Sequence, residues 1–100
     1  MVYVVQEQTG KDLSKAKEYG ELISLLPQKL IVGLSVVQVK QRLDTSLASF
    51  SNNDYLLLIG DPVAIGMAMT IAAKYSNGIV RTLKWDRQLQ SYYEVRVDFN

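Results

Sequence analysis

The sequence predicts an α/β fold, a mostly parallel sheet between helical layers, and three observations carry that prediction. Apolar runs of strand length alternate along the chain with stretches of helical period, in the order β-α-β-α-β-α-β-β. One run, Tyr55 to Ile59, is continuously apolar, as suits a central strand covered on both faces. After Gly78 the period changes to two, which marks a hairpin.

Val2 to Val5 is a β-branched and aromatic run, read as the first strand. The polar loop Gln6 to Lys11 follows. Asp12 is placed to cap a helix from Leu13 to Tyr19, with Leu13 and Ala16 turned inward and Gly20 as its stop. Leu22 to Leu26 is the second strand, ended by Pro27. Residues 28 to 34 read as a loop that tucks its apolar side chains under the sheet, with an extra short strand as the alternative. Ser35 then caps a helix from Val36 to about Phe50, in which Val36, Val39, Leu43, Leu47 and Phe50 recur at intervals of three and four. After the strand Tyr55 to Ile59, Gly60 permits a sharp turn and Asp61 serves as N-cap. Pro62 takes the first helical position, where its missing N–H costs nothing. That third helix is rich in small residues and closes at Asn77-Gly78. Its Gly66 costs about 1 kcal/mol of propensity against Ala, which predicts a use for the missing side chain, first of all close packing on the sheet, with a dimer contact or a ligand approach as the alternatives. In the hairpin, Ile79, Arg81, Leu83 and Trp85 share one face of a strand. In the last strand, from Ser91 to Phe99, Tyr93, Val95, Val97 and Phe99 oppose Tyr92, Glu94, Arg96 and Asp98.

Right-handed crossovers favour the sheet order 2-1-3-4-5, with the last strand antiparallel. This is a three-layer, Rossmann-like or flavodoxin-like sandwich. The helix from Leu13 covers one face alone, and the helices from Val36 and Pro62 share the other.

One hundred residues make a single domain, 1–100, and 48% hydrophobic against 21% charged residues, ordinary for a globular chain, argues against global disorder. A net charge of +1 gives no electrostatic reason for a nucleic-acid or anionic-membrane partner. With no cysteine and no histidine, disulfides, thiol catalysis, Cys/His zinc sites and imidazole general-base chemistry are excluded. The first residues carry neither a basic segment nor a long apolar one, and Pro62 to Ala73 is too short to span a bilayer. A cytoplasmic protein that needs no cofactor or metal is the expectation.

In an open α/β sheet, ligands bind beyond the carboxyl ends of the strands where the winding reverses. That point lies here between the first and third strands. Thr9, Gly10 and Lys11 offer a hydroxyl, an open backbone and a cation; Gly60 lets a ligand near the backbone, and Asp61 marks a helix N-terminus whose N–H groups suit a phosphate. These five are the candidate ligand-binding residues for a nucleotide or another small phosphorylated molecule. Each also has a plainer structural reading. Asp61 caps a helix and its charge opposes a phosphate, and Gly10-Lys11 lacks the first glycine and the following Ser/Thr of a P-loop. In the hairpin, Trp85, Arg87, Tyr92 and Arg96 interleave basic and aromatic side chains and are the candidate partner-binding residues. Asp86, Glu94 and Asp98 among them favour a solvated edge over a platform for single-stranded nucleic acid.

At Asp54-Tyr-Leu-Leu-Leu-Ile-Gly-Asp-Pro62 and Leu83-Lys-Trp-Asp-Arg-Gln88, with Tyr19-Gly-Glu-Leu22 upstream, the chain resembles small uncharacterised α/β proteins of tailed-bacteriophage genomes. The resemblance implies a viral accessory protein made in a bacterial cytoplasm, and it brings no activity or site residues with it. A second resemblance is to CRISPR-associated Rossmann-fold ligand-sensing domains, which place a glycine turn and a small-residue helix after a central strand, as Ile59-Gly60 and Ala64 to Ala73 do here. Their Thr-Gly-Gly-Thr-Lys turn is replaced by Gly60-Asp61-Pro62, a departure that bears directly on cyclic-oligonucleotide binding. The first functional expectation is a non-enzymatic protein that binds another protein or a second copy of itself. The alternative is a nucleotide-binding module using the loops at Gly10 and Gly60.

Overall fold

The computed structural model describes every residue from Met1 to Asn100. Its elements are β1 (Val2–Gln6), a 3-10 helix (Ser14–Tyr19), β2 (Leu22–Leu26), a 3-10 turn (Val32–Leu34), α1 (Val36–Ser46), β3 (Tyr55–Leu57), α2 (Pro62–Tyr75), β4 (Ile79–Asp86) and β5 (Ser91–Asp98). They form one sheet in the order β2-β1-β3-β4-β5, parallel throughout except for the antiparallel pair β4–β5. The expected α/β sandwich is the observed one.

Strand alternation splits the apolar residues between two cores. Tyr3, Val5, Leu56 and Val80 face α1 and α2, where Val39, Leu43, Leu47, Phe50, Ala64, Ala68, Ile71 and Ala72 complete the larger core. Val2, Val4, Leu57, Leu83 and Tyr92 face the 3-10 helix, which contributes Ala16. Polar ties fix the helical layer. The Arg42 Nε–H donates to the Leu25 carbonyl at 2.9 Å, and the Tyr75 hydroxyl donates to Asp44 on α1 at 2.7 Å. No helix is long and apolar enough to cross a membrane.

Several elements differ from the sequence expectation, each for a local reason. The helix after Asp12 is 3-10 rather than α: Ala16 N–H bonds to Leu13 O at 3.0 Å and Gly20 N–H to Lys17 O at 3.2 Å. Ala16 is its one buried residue, so no apolar stripe demands a wider helix. Asp12 does close its first turn, accepting from the Ser14 N–H at 2.9 Å. The helix α1 ends at Ser46, and a turn bond from Phe50 N–H to Leu47 O keeps both side chains in the core without further helix. The Ser35 hydroxyl makes no capping bond, and Val36, in the overhanging first turn, is 47% exposed. In residues 28 to 34 the apolar side chains divide: Val32 is buried and Leu30 packs against the core, whereas Ile31 and Leu34 stand out in solvent. β3 pairs only as far as Leu57, two residues short of the expected end.

Gly66 corrects another expectation. A Cβ built there would meet no atom within 4 Å, so the glycine faces outward rather than packing on the sheet. Gly60 is the opposite case, with φ +124° and a would-be Cβ at 2.5 Å from the Gln6 Cβ. Gly66→Ala is therefore expected to stabilise the fold by about 1 kcal/mol, raising Tm by roughly 4 to 8 °C. Gly60→Ala is expected to lower it by more than that gain. Thermal denaturation followed by circular dichroism checks both.

Candidate functional site

A mismatch in strand length creates a cavity at the carboxyl end of the sheet. β3 stops at Leu57, opposite Leu83, while β4 runs on with β5 to Asp86. Past Leu57 the chain turns away: Ile59 N–H bonds back to Leu57 O, and Ile59 O accepts from the Gln6 N–H, both at 3.0 Å. The hairpin thus projects beyond its neighbour at the carboxyl end of the sheet. The loop at Gly10 and the start of the 3-10 helix form the facing wall. Between them lies a cleft of about 460 Å³, floored by Leu57 and Leu83 and bordered by Lys11, Lys15, Trp85 and Tyr92.

The hairpin wall is aromatic. Tyr92 is buried and Trp85 is 39% exposed, with their rings edge to face at 5.0 Å between centroids. Burial pushes the Tyr92 phenol up, and the nearby Asp12 carboxylate adds to the shift, so the hydroxyl stays protonated. The wall also offers backbone groups. Phe99 N–H donates to Gly78 O at 2.8 Å, and alternation along the β4–β5 register then directs the Lys84 backbone toward Tyr93. The Trp85 N–H and C=O, one residue on, face the gap where β3 has ended.

The rim is basic. Lys11 and Lys15 border the cleft against one acid, Asp12, in a chain whose whole net charge is +1, while Lys84 contributes its backbone, its side chain lying by alternation on the opposite sheet face. The Ser14 N–H holds the Asp12 carboxyl below its ordinary value, so it remains ionised. Lys11 and Lys84 take part in no ion pair. Lys15 bonds through Nζ to the Gln90 carbonyl at the hairpin turn, and the Tyr19 hydroxyl donates to Tyr92 O at 3.0 Å. These two ties brace the 3-10 helix against the hairpin. Behind them the Tyr19 and Tyr55 rings meet edge to face at 5.3 Å, and the Arg81 guanidinium lies 4.3 Å above Tyr55 while binding both Glu94 oxygens at 3.0 Å.

The structure brings together residues that the sequence placed in separate candidate sites. Gly10 and Lys11 from the ligand set line the same cleft as Trp85 and Tyr92 from the partner set. Thr9 stands beside it, its hydroxyl accepting from Gln28 at 2.8 Å. Arg87 is exposed in the hairpin turn, and Arg96 is exposed farther along β5, opposite Arg81. Gly60 and Asp61 do not line the cleft. They pack around the buried Gln6 side chain, whose amide donates to Pro27 O and Leu30 O and accepts from the Asp61 N–H, at 3.0 to 3.1 Å. One Asp61 oxygen caps α2 by accepting from the N–H groups of Val63 and Ala64. No three acidic side chains gather where a metal ion would sit.

A family model described as Phage Pam3 gp32-like protein matches residues 1–99. The chain belongs to that phage family. No curated protein and no solved structure matches it. The phage resemblance carried by the segments at Tyr19, Asp54 and Leu83 is thereby borne out over nearly the whole chain. Sequence reading missed Lys15, Lys84 and Gln6. For Lys15 the available signal was parity, since the helix from Leu13 and the Leu83/Trp85 side chains occupy one sheet face. Gln6 carried no signal, because a polar residue at a strand end reads as loop.

Two outcomes follow from these contacts. Gln6→Leu strands two carbonyls and an N–H, and is expected to cost about 2 to 4 kcal/mol in urea denaturation. Arg81 holds the Glu94 carboxyl below its ordinary value of 4.5. A depressed folded value stabilises the fold above the unfolded pKa, and this contribution is lost as pH falls through the folded one. Glu94→Gln is therefore expected to flatten the fall of Tm with pH below about 4.5.

Proposed function

We propose that this phage protein is a non-catalytic accessory protein of the bacterial cytoplasm that acts by binding a ligand of mononucleotide size in the cleft beside the hairpin. The observation that carries the reading is the cleft itself, where Lys11 and Lys15 face the Trp85/Tyr92 wall across about 460 Å³. That volume falls in the range of small-molecule sites. An aromatic wall suits a base or another flat apolar body, the lysine ammonium groups donate to phosphate oxygens, and the Trp85 backbone groups supply direction. Trp85 and Lys11 would be the main contacts; Gly60 and Asp61 act through the fold. A protein partner on the hairpin is the second reading, favoured by its turn, where Leu89 is 70% exposed beside Arg87.

Thermal denaturation with nucleoside mono- and diphosphates, and with inorganic phosphate as a control, tests the first reading. A ligand at ten times its Kd adds about 1.4 kcal/mol, worth roughly 6 to 11 °C in Tm for a domain of this size. Trp85→Ala and Lys11→Ala are each expected to weaken binding about tenfold or more, while Lys29→Ala leaves it unchanged. No rise with any nucleotide at millimolar concentration would overturn this reading. The hairpin reading then predicts a protein from infected cells that co-purifies with the wild type and with Lys11→Ala but not with Leu89→Asp.

A further inference from the structure

β5 is one of the two edges of the sheet, β2 being the other, and its backbone shows which groups no neighbouring strand takes up. The Phe99 N–H bonds to Gly78 O, so Tyr93, Val95 and Val97 turn their N–H and C=O toward β4. Those of Glu94, Arg96 and Asp98 point outward, where no strand follows; Tyr92 also points outward, its C=O accepting from the Tyr19 hydroxyl at 3.0 Å. Of the usual protections of an edge, β5 carries charged side chains, Glu94, Arg96 and Asp98, but no Pro and no Lys, and its register with β4 runs unbroken from Ser91 to Asp98, without a bulge. On the helix-side face Tyr93 is 39% and Phe99 58% exposed, with Val95 and Val97 half-buried between them.

We propose that β5 pairs antiparallel with β5 of a second copy about a two-fold axis at Val95, joining the two five-stranded sheets into one. The occupant and the register both follow from charge. Outward groups must meet outward groups, so the strand can shift only in steps that keep Tyr92, Glu94, Arg96 and Asp98 opposite members of the same set. An axis at Glu94 puts that carboxylate against itself. An axis at Arg96 opposes the two guanidiniums and sets Glu94 against Asp98 of the partner subunit. An axis at Val97 leaves Ser91 to Tyr93 unpaired. With the axis at Val95, Glu94, already bound by Arg81 of its own chain, also faces Arg96 of the partner subunit, twice over by symmetry; Val95 meets its own copy, and Tyr93 packs beside the partner subunit's Val97. Opposite charges and aromatic–β-branched pairs are the combinations that stabilise neighbouring antiparallel strands. The pairing also uses the outward N–H and C=O groups of Glu94 and Arg96 in both copies.

Sedimentation velocity across micromolar concentrations tests the pairing, independently of any ligand in the cleft. The wild type is expected to be a dimer. Arg96→Glu sets Glu against Glu94 at both symmetric positions and is expected to raise the dimer Kd about a hundredfold; Glu94→Arg does the same with two arginines. Mixed in equal amounts, the two monomeric variants are expected to form a heterodimer, because each position then faces its opposite charge. Circular dichroism establishes that each variant is folded before mixing. A monomeric wild type at 100 µM (roughly the upper end of a useful scan) overturns the proposal. So does a dimer that either substitution leaves intact, and so does a mixture of monomeric variants that fails to associate.

Discussion

The two halves of the molecule are held together by adjacent leucines in its shortest strand. Leu56 and Leu57 are fully buried, and strand alternation sends one into the helical core and the other into the core under the 3-10 helix. Each contributes about 1.5 to 3 kcal/mol by burial, but their position matters more than that sum. β3 is the strand through which β1 and β4 are joined, so its register must satisfy both neighbours at once. Its length is limited from outside. Gly60 can turn only where Gln6 leaves room, and Gln6 is itself fixed by the carbonyls of Pro27 and Leu30. The place where α2 begins is therefore set by β1 and by the loop after β2.

The cleft is a by-product of that limit. A longer β3 would pair with Trp85 and fill the gap; a shorter β4 would remove its wall. Its shape is then held by contacts outside it, the Tyr19 bond to Tyr92 and the Lys15 bond to the hairpin turn. The stack of Tyr19, Tyr55 and Arg81 lies behind them. Bracing of this kind lowers the ordering cost of binding, because the wall needs no rearrangement to meet a ligand. The Arg81–Glu94 pair belongs to this support, and its partly exposed position makes its value depend on salt.

Strand order, layers and core were legible in the sequence because period and parity are properties of neighbouring residues. The continuous run at Tyr55 and the clean alternation after Gly78 placed β3 and the hairpin, and the Asp61-Pro62 cap placed α2. What failed to be legible depended on distant contacts. The apolar run through Ile59 gives no sign that pairing stops at Leu57, since that end is imposed by Gln6, more than fifty positions away in the chain. Gly66 looked like a packing glycine because its neighbours are small, yet the packing is done by Ala64, Ala68 and Ala72 on the buried side. The candidate site was half legible. Gly10 and Lys11 were placed by the switch-point rule and Trp85 and Tyr92 by composition, but only the sheet order, read together with strand parity, puts them on two sides of one cavity.

Trp85 is the only tryptophan in the chain, and it stands at the mouth of the cleft with its ring against Tyr92. Every other aromatic ring is a phenol or a phenyl, so light absorbed at the red edge of the protein band is emitted from this one position. The emission colour and its quenching by added solutes report the wetness of the cleft rather than an average over the molecule. The phage protein carries its own optical probe where the loop and the hairpin meet.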